Sequence, residues 1–167
     1  ILREQIMVTG AGRTDTGVHA KQMFAHFDTN QNIDTRKLAF QLNSLLSNDI
    51  LIEDIMRVRD DAHARFDAIE RTYEYHLSFQ ADPFRQEEVF HCKHSLDTVK
   101  MNDAAKLLFD HIDFTSFSKH HTQTKTNDCK VTKAEWTFTE NGLLFTISAD
   151  RFLRNMVRAI VGTLIEV

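Results

Sequence analysis

The chain has 167 residues, 42% of them hydrophobic and 26% charged, which excludes a disordered or fibrous protein and suits one good core or two small lobes. Its 20 Lys and Arg against 24 Asp and Glu give a formal charge of −4, which argues against a protein that coats nucleic acid indiscriminately. No apolar run approaches the roughly 20 residues of a membrane helix, Ile1-Leu2-Arg3-Glu4 lacks the layout of a signal peptide, and two cysteines, Cys92 and Cys129, cannot build a disulfide framework, so a soluble chain in the reducing cytoplasm is expected.

Ile6, Met7 and Val8 predict a strand over residues 6–9, so close to the start that the chain reads as an internal piece of a longer protein. After a glycine-rich turn, Met23, Ala25 and Phe27 alternate with Gln22, Phe24 and His26, which predicts a strand over 22–28. Asp34 or Thr35 caps a helix whose face is Leu38, Leu42, Leu45 and Leu46, and Asn48-Asp49 turns into a strand over 50–58. The acidic Arg59-Asp60-Asp61 marks a lobe boundary, with an N-terminal lobe at 1–64 that includes the glycine-rich loop 10–20 and a C-terminal lobe at 65–167.

Beyond it, Tyr73, Tyr75, Leu77 and Phe79 alternate with Glu74, His76 and Ser78, a strand closed by Pro83. Residues 96–109 read as a helix through Met101, Ala104, Ala105 and Leu108. Trp136 and Phe138 then face Phe145 and Ile147 across Asn141-Gly142, a strong hairpin signal. A last stripe, Leu153, Met156, Val157, Ile160, Val161, Leu164 and Ile165, is helical and runs to the terminus as if cut. At about 100° per residue Arg154 and Arg158 both edge that stripe. The sum is an α+β fold with largely antiparallel strands.

Two basic segments stand out. Residues 119–133 hold Lys119, Lys125, Lys130 and Lys133 against Asp128, with His120 and His121 beside them, and residues 151–158 hold Arg151, Arg154 and Arg158 with no acid. They make either a phosphate-binding surface or two solvated faces.

The chemistry concentrates in Gly10-Ala11-Gly12-Arg13-Thr14-Asp15-Thr16-Gly17-Val18-His19-Ala20, which holds three of the chain's five glycines. That density asks for positive-φ turns or close backbone approach, and the turn carries a carboxylate with a cation two residues away. A tight turn in which Asp15 caps backbone N–H groups would look the same. Gly12 and Gly17 have P-loop spacing, but Val18-His19 stand where the motif needs Lys and then Ser or Thr. Asp15-Thr16-Gly17 spells the D-T-G of aspartic proteases, but a second copy is missing, so only a dimer would complete that site. His91-Cys92-Lys93-His94 matches no common zinc spacing, so no metal is assigned.

Gly12 to Ala20 resembles the nucleophile loop, G-R-T-D-x-G-V-H-A, of the TruA family of tRNA pseudouridine synthases. Four further blocks resemble that family in the same order. They are Leu42-Asn43-Ser44-Leu45-Leu46 with Asp49-Ile50, His63-Ala64-Arg65-Phe66-Asp67-Ala68 running into Arg71-Thr72-Tyr73-Glu74-Tyr75, Asp113-Phe114-Thr115-Ser116-Phe117, and Met156-Val157-Arg158-Ala159-Ile160-Val161-Gly162.

The resemblance implies the pseudouridine synthase fold, two lobes with mainly antiparallel sheets flanked by helices and a cleft between them, and segments before and after this chain that complete it. It implies a cofactor-independent isomerase acting on uridines 38 to 40 of the tRNA anticodon stem-loop, working as a homodimer. The reaction needs a carboxylate, which an aspartate supplies at neutral pH, and the resemblance assigns it to Asp15. Arg158 is implied to orient that carboxylate, Tyr73 to stack on the uracil, and Arg13 to fill the space of the flipped base. His19 reads as a structural partner in the loop. Lys119, Lys125 and Arg154 are expected against RNA phosphates. A catalytically silent RNA-binding module of the same fold is the rival expectation, and a dimeric acid protease the rival enzyme.

Overall fold

The alternation of Tyr73, Tyr75 and Leu77 with Thr72, Glu74 and His76 forms a strand, β3 (Arg71–Ser78), inside a four-stranded sheet. The computed structural model describes residues 1–119 and 126–167. The chain divides into two units, residues 1–13 with 21–67, and residues 14–20 with 68–167.

In the second unit the sheet runs in the order β4 (Val89–His91), β3, β6 (Gly142–Ala149), β5 (Val131–Thr139). β4 is parallel to β3, and the other two pairings are antiparallel. Tyr73 lies opposite Ile147 and Ile147 opposite Ala134; Tyr75, Phe145 and Trp136 form the next row, and Leu77, Leu143 and Phe138 the third. Residues directly opposite share a face, so one face of the sheet is apolar. It joins one core with the helices. Met101 and Ala105 come from α2 (Thr98–Lys106), and Met156, Ile160, Val161 and Leu164 from α3 (Met156–Ile165). Asp97 caps α2 by accepting a hydrogen bond from the Lys100 N–H, and a 3₁₀ turn, Leu107–Asp110, continues it. Asn102 then clasps the sheet edge: its amide donates to the Trp136 carbonyl at 3.0 Å and its carbonyl accepts the Trp136 N–H at 2.8 Å.

The expected hairpin forms, with a different turn. The two-residue loop is Glu140-Asn141, and Gly142 is already the first residue of β6, paired with Thr139 and Ser78. Neither loop residue has positive φ. Gly142 is needed for space, since a Cβ built there would lie 1.9 Å from the Leu77 carbonyl oxygen. The register also places Phe138 opposite Leu143 and leaves it 76% exposed, while Ile147 faces Ala134.

The last helix buries the expected stripe but starts later than the periodicity suggests. Asn155 takes a left-handed conformation, φ 66°, immediately before Met156. Arg154 therefore sits in a turn outside α3, and the helical phase that relates it to Arg158 does not apply.

In the first unit β1 (Thr9–Gly10) pairs antiparallel with β2 (Ala25–His26). The two longer strands expected at 6–9 and 22–28 shrink to this contact. Met7 and Val8 are 86% and 64% exposed, so the ribbon has no buried face to extend it. α1 (Thr35–Asn43) starts at the expected cap, Asp34, whose carboxylate accepts the Lys37 N–H at 3.0 Å, and it buries Leu38. No strand forms over 50–58. The Asn43 side chain takes both the N–H and the carbonyl of Ile52, at 2.7 and 2.9 Å, which are the groups a ladder would use. Among the described residues no helix is long and apolar enough to cross a membrane.

Candidate active site

Asp15, Thr16, Gly17 and Val18 form a tight turn in which the Val18 N–H donates to the Asp15 carbonyl at 3.3 Å. Gly17 has φ +79°, the value a type II turn asks of its third residue. Gly10 and Gly12 need no such conformation. The turn leaves the Asp15 side chain exposed. Although it lies early in the chain, the segment 14–20 belongs with residues 68–167.

Arg158 anchors it there. Projecting from the first turns of α3, the guanidinium donates through Nη2 to the main-chain carbonyl of Thr16 at 3.0 Å. The hydrogen bond goes to the carbonyl beside Asp15 rather than to the carboxylate. Arg158 thus fixes the backbone that carries the acid, and its positive charge stands near the turn.

Tyr73, half-buried on the apolar face of β3, completes the grouping. Burial raises its phenol above the ordinary tyrosine value, Arg71 opposes that shift, and the negative charge of Asp15 adds to it. Two residues along the same face, Tyr75 is raised by burial and pulled back by Arg158. Tyr73 thus feels both Arg71 and Asp15, and Tyr75 feels Arg158. Among the sequence-predicted site residues, Asp15, Tyr73 and Arg158 all fall within this unit.

The Tyr73 ring meets Phe152 at right angles, with centroids 5.1 Å apart. Phe152 follows a pinned segment. The Asp150 carboxylate accepts the Lys130 and Arg151 N–H groups at 2.8 and 2.7 Å, and Arg71 donates to the Asp150 carbonyl at 2.9 Å. Sequence reasoning missed Phe152 and the proximity of Tyr75 to Arg158. The first depends on a contact across 79 positions, whereas alternation marked Tyr75 only as a strand-face aromatic.

The Lys119 N–H donates to the Arg154 carbonyl at 3.2 Å, which brings the two basic segments together by their main chains, with both side chains exposed. Just before Lys119, the Asp113 carboxylate accepts the Thr115 N–H and hydroxyl, bonds that hold its carboxyl below the usual range. Lys125, His120 and His121 lie outside the described residues. Arg13, exposed, belongs to the first unit, and His19 is exposed in the loop. Around the histidine cluster, Cys92 is buried with its Sγ 3.6 Å from the His94 carbonyl. Among the described residues, no group of three or more His, Cys, Asp or Glu gathers as a metal would require.

The sequence matches the tRNA pseudouridine synthase family over residues 104–167. It is also similar along nearly its whole length to proteins named tRNA pseudouridine synthase A. With that of Bacteroides fragilis it shares 55% identity over 168 residues, 99% of this chain and 67% of that protein. The Azobacteroides pseudotrichonymphae protein is 50% identical over 100% of this chain and 67% of its own length, and that of Bacillus subtilis 36% identical over 98% and 67%. The chain spans about two thirds of the length of the curated relatives it matches, from 63% to 68% among those most similar to it.

Proposed function

This chain belongs to the tRNA pseudouridine synthase A family, and we infer from that membership that it carries the catalytic portion of an enzyme that isomerises uridine to pseudouridine in tRNA. The observation that carries the inference is identity of 50–55% to proteins of that name over essentially every residue. In the reaction the N1 to C1′ bond breaks, the base turns, and a C5 to C1′ bond forms. A proton leaves C5 and another is taken up at N1, so nothing is oxidised or reduced and no cofactor is called for.

Asp15 is the nucleophilic carboxylate in this proposal, exposed on its turn where a flipped nucleotide can reach it. Arg158 holds the turn by its bond to Thr16 and supplies positive charge beside the acid. Tyr73 offers a ring on which uracil stacks and, with its phenol raised, stays protonated at neutral pH and able to donate toward the base. Arg13 fills the gap left by the flipped base. Lys119, Lys125 and Arg154 contact phosphates, which position the RNA without reading its sequence. The substrate is the anticodon stem-loop at uridines 38 to 40, and the enzyme works in the cytoplasm as a homodimer. A lobe division at 1–64 and 65–167 belongs to the same proposal, as a boundary in the sequence, with the segment 14–20 packed among the residues of the second part.

Tritium release from [5-³H]uridine-labelled tRNA tests it. A full-length protein carrying this chain releases tritium, and its Asp15→Ala variant releases none while still binding tRNA. If the folded wild-type protein binds tRNA and releases nothing, the catalytic assignment is wrong and an RNA-binding module takes its place.

A further inference from the structure

We propose that Phe152 is a positioning residue for this reaction. Its perpendicular contact fixes the ring plane of Tyr73, so that the tyrosine presents a stacking face in a set orientation. The proposal deepens the one above and rests on its assignment of Tyr73.

A tyrosine's ring torsion is broad and only two-fold, so a half-buried ring on a strand has freedom that a stacking platform cannot tolerate. A neighbouring aromatic at right angles removes it. The ring edge of one carries partial positive charge and the face of the other negative, a preference that holds at centroid separations of about 4.5–7 Å. Tyr73 and Phe152 sit at 5.1 Å and 90°. A perpendicular neighbour covers at most one face of Tyr73, whereas a stacked neighbour would occupy the face a base needs.

Phe152 is itself held from both sides. Upstream, Asp150 is tied to Lys130 and Arg71 and accepts the Arg151 N–H. Downstream, Leu153 is buried and Asn155 turns the chain with φ 66°. Because Arg71 lies two residues from Tyr73 on β3, the Arg71 bond to Asp150 sets the spacing between the segment bearing Phe152 and the strand bearing Tyr73. A polar clamp and an aromatic contact thus act on the same pair of segments.

The test compares Phe152→Leu, which keeps apolar bulk but loses the ring, with Phe152→Tyr, which keeps the ring. In a full-length protein carrying this chain, Phe152→Leu lowers kcat for tritium release about three- to tenfold, the scale of one aromatic pair. KM for tRNA stays within about twofold and Tm within about 2 °C, while Phe152→Tyr restores kcat. The two tyrosines of this chain give a second readout. With [¹³C]tyrosine, Phe152→Leu shifts the Tyr73 ring signal and leaves that of Tyr75 in place. Should Phe152→Leu not fold, Phe152→Met replaces it in both measurements. Wild-type kcat in the leucine variant, or equal losses of kcat and Tm in the leucine and tyrosine variants, overturns the proposal. Tyr73→Leu assayed alongside separates the two levels. Wild-type turnover in it refutes the assignment of Tyr73, whereas a Tyr73→Leu that loses turnover beside a fully active Phe152→Leu refutes only the role of Phe152.

Discussion

Gly142→Ala gives the sharpest test of how the sheet is held. The new methyl carbon would lie 1.9 Å from the Leu77 carbonyl oxygen and 2.8 Å from the Leu77 carbonyl carbon and the Ser78 Cα, all backbone atoms of the neighbouring strand. Rotating a side chain cannot relieve that overlap, so β3 and β6 must part at this end. Parting endangers the bonds from the Phe79 N–H and the Ser78 hydroxyl to the Asn141 carbonyl, both 3.1 Å, each worth about 0.5–1.5 kcal/mol. Backbone displacement from overpacking adds about 1–3 kcal/mol. The sum is about 2–6 kcal/mol, and at about 2–4 °C per kcal/mol for a chain of this size Tm falls by roughly 4–24 °C. Gly162→Ala is the control. A Cβ there meets nothing within 4 Å, and inside an exposed helical turn alanine gains about 0.5–1 kcal/mol over glycine. Thermal melts followed by circular dichroism read both. A Gly142→Ala protein melting within 2 °C of wild type would refute the close-approach argument.

Arg158→Met severs the bond to Thr16 while keeping most of the side-chain length. Amide exchange at residues 15–18 should accelerate about fivefold, the scale of a single hydrogen bond worth about 1 kcal/mol, while exchange in β5 and β6 is unchanged; uniform acceleration across the chain would deny the anchor role. Cys129, 1% exposed, has its thiol pushed up to about 11 by burial, so labelling by iodoacetamide at pH 8 should be far slower than for a free thiol. Because the folded value is the higher one, this group's contribution is full below the ordinary thiol value of about 8.5 and is lost as pH rises to about 11, at up to about 1.4 kcal/mol per pH unit. Cys129→Ala should flatten the alkaline limb of a stability–pH curve, and an unchanged limb would count against it.

Local signals carried far where a segment decides its own structure. The Asp34 cap, the alternation around Tyr73 and the stripe from Met156 to Leu164 each formed the element they announced. The turn at Asp15 was legible because Gly17 has no local substitute at positive φ. What remained hidden depends on distant partners. Asn43 occupies the backbone of Ile52 and so silences a strand pattern. Gly142 answers to Leu77, 65 positions earlier, and not to its own turn. Asn155 carries no periodic signal, yet it decides that Arg154 stands outside the helix that holds Arg158.

The bond between Arg158 and Thr16 spans 142 positions of sequence, and this imposes an order of events on synthesis. At about 5–20 residues per second, the turn bearing Asp15 waits roughly 7–28 s after leaving the peptidyl transferase centre before its anchor has even been made. Contacts of such long range come late in folding, because their loop-closure entropy must first be offset by the core around them. The turn bearing Asp15 therefore lacks its anchor until α3 packs, and its fixed geometry arises only once the sheet and its last helix are in place. Stalled chains ending before and after α3 would differ in amide protection at 14–20, with protection confined to the longer.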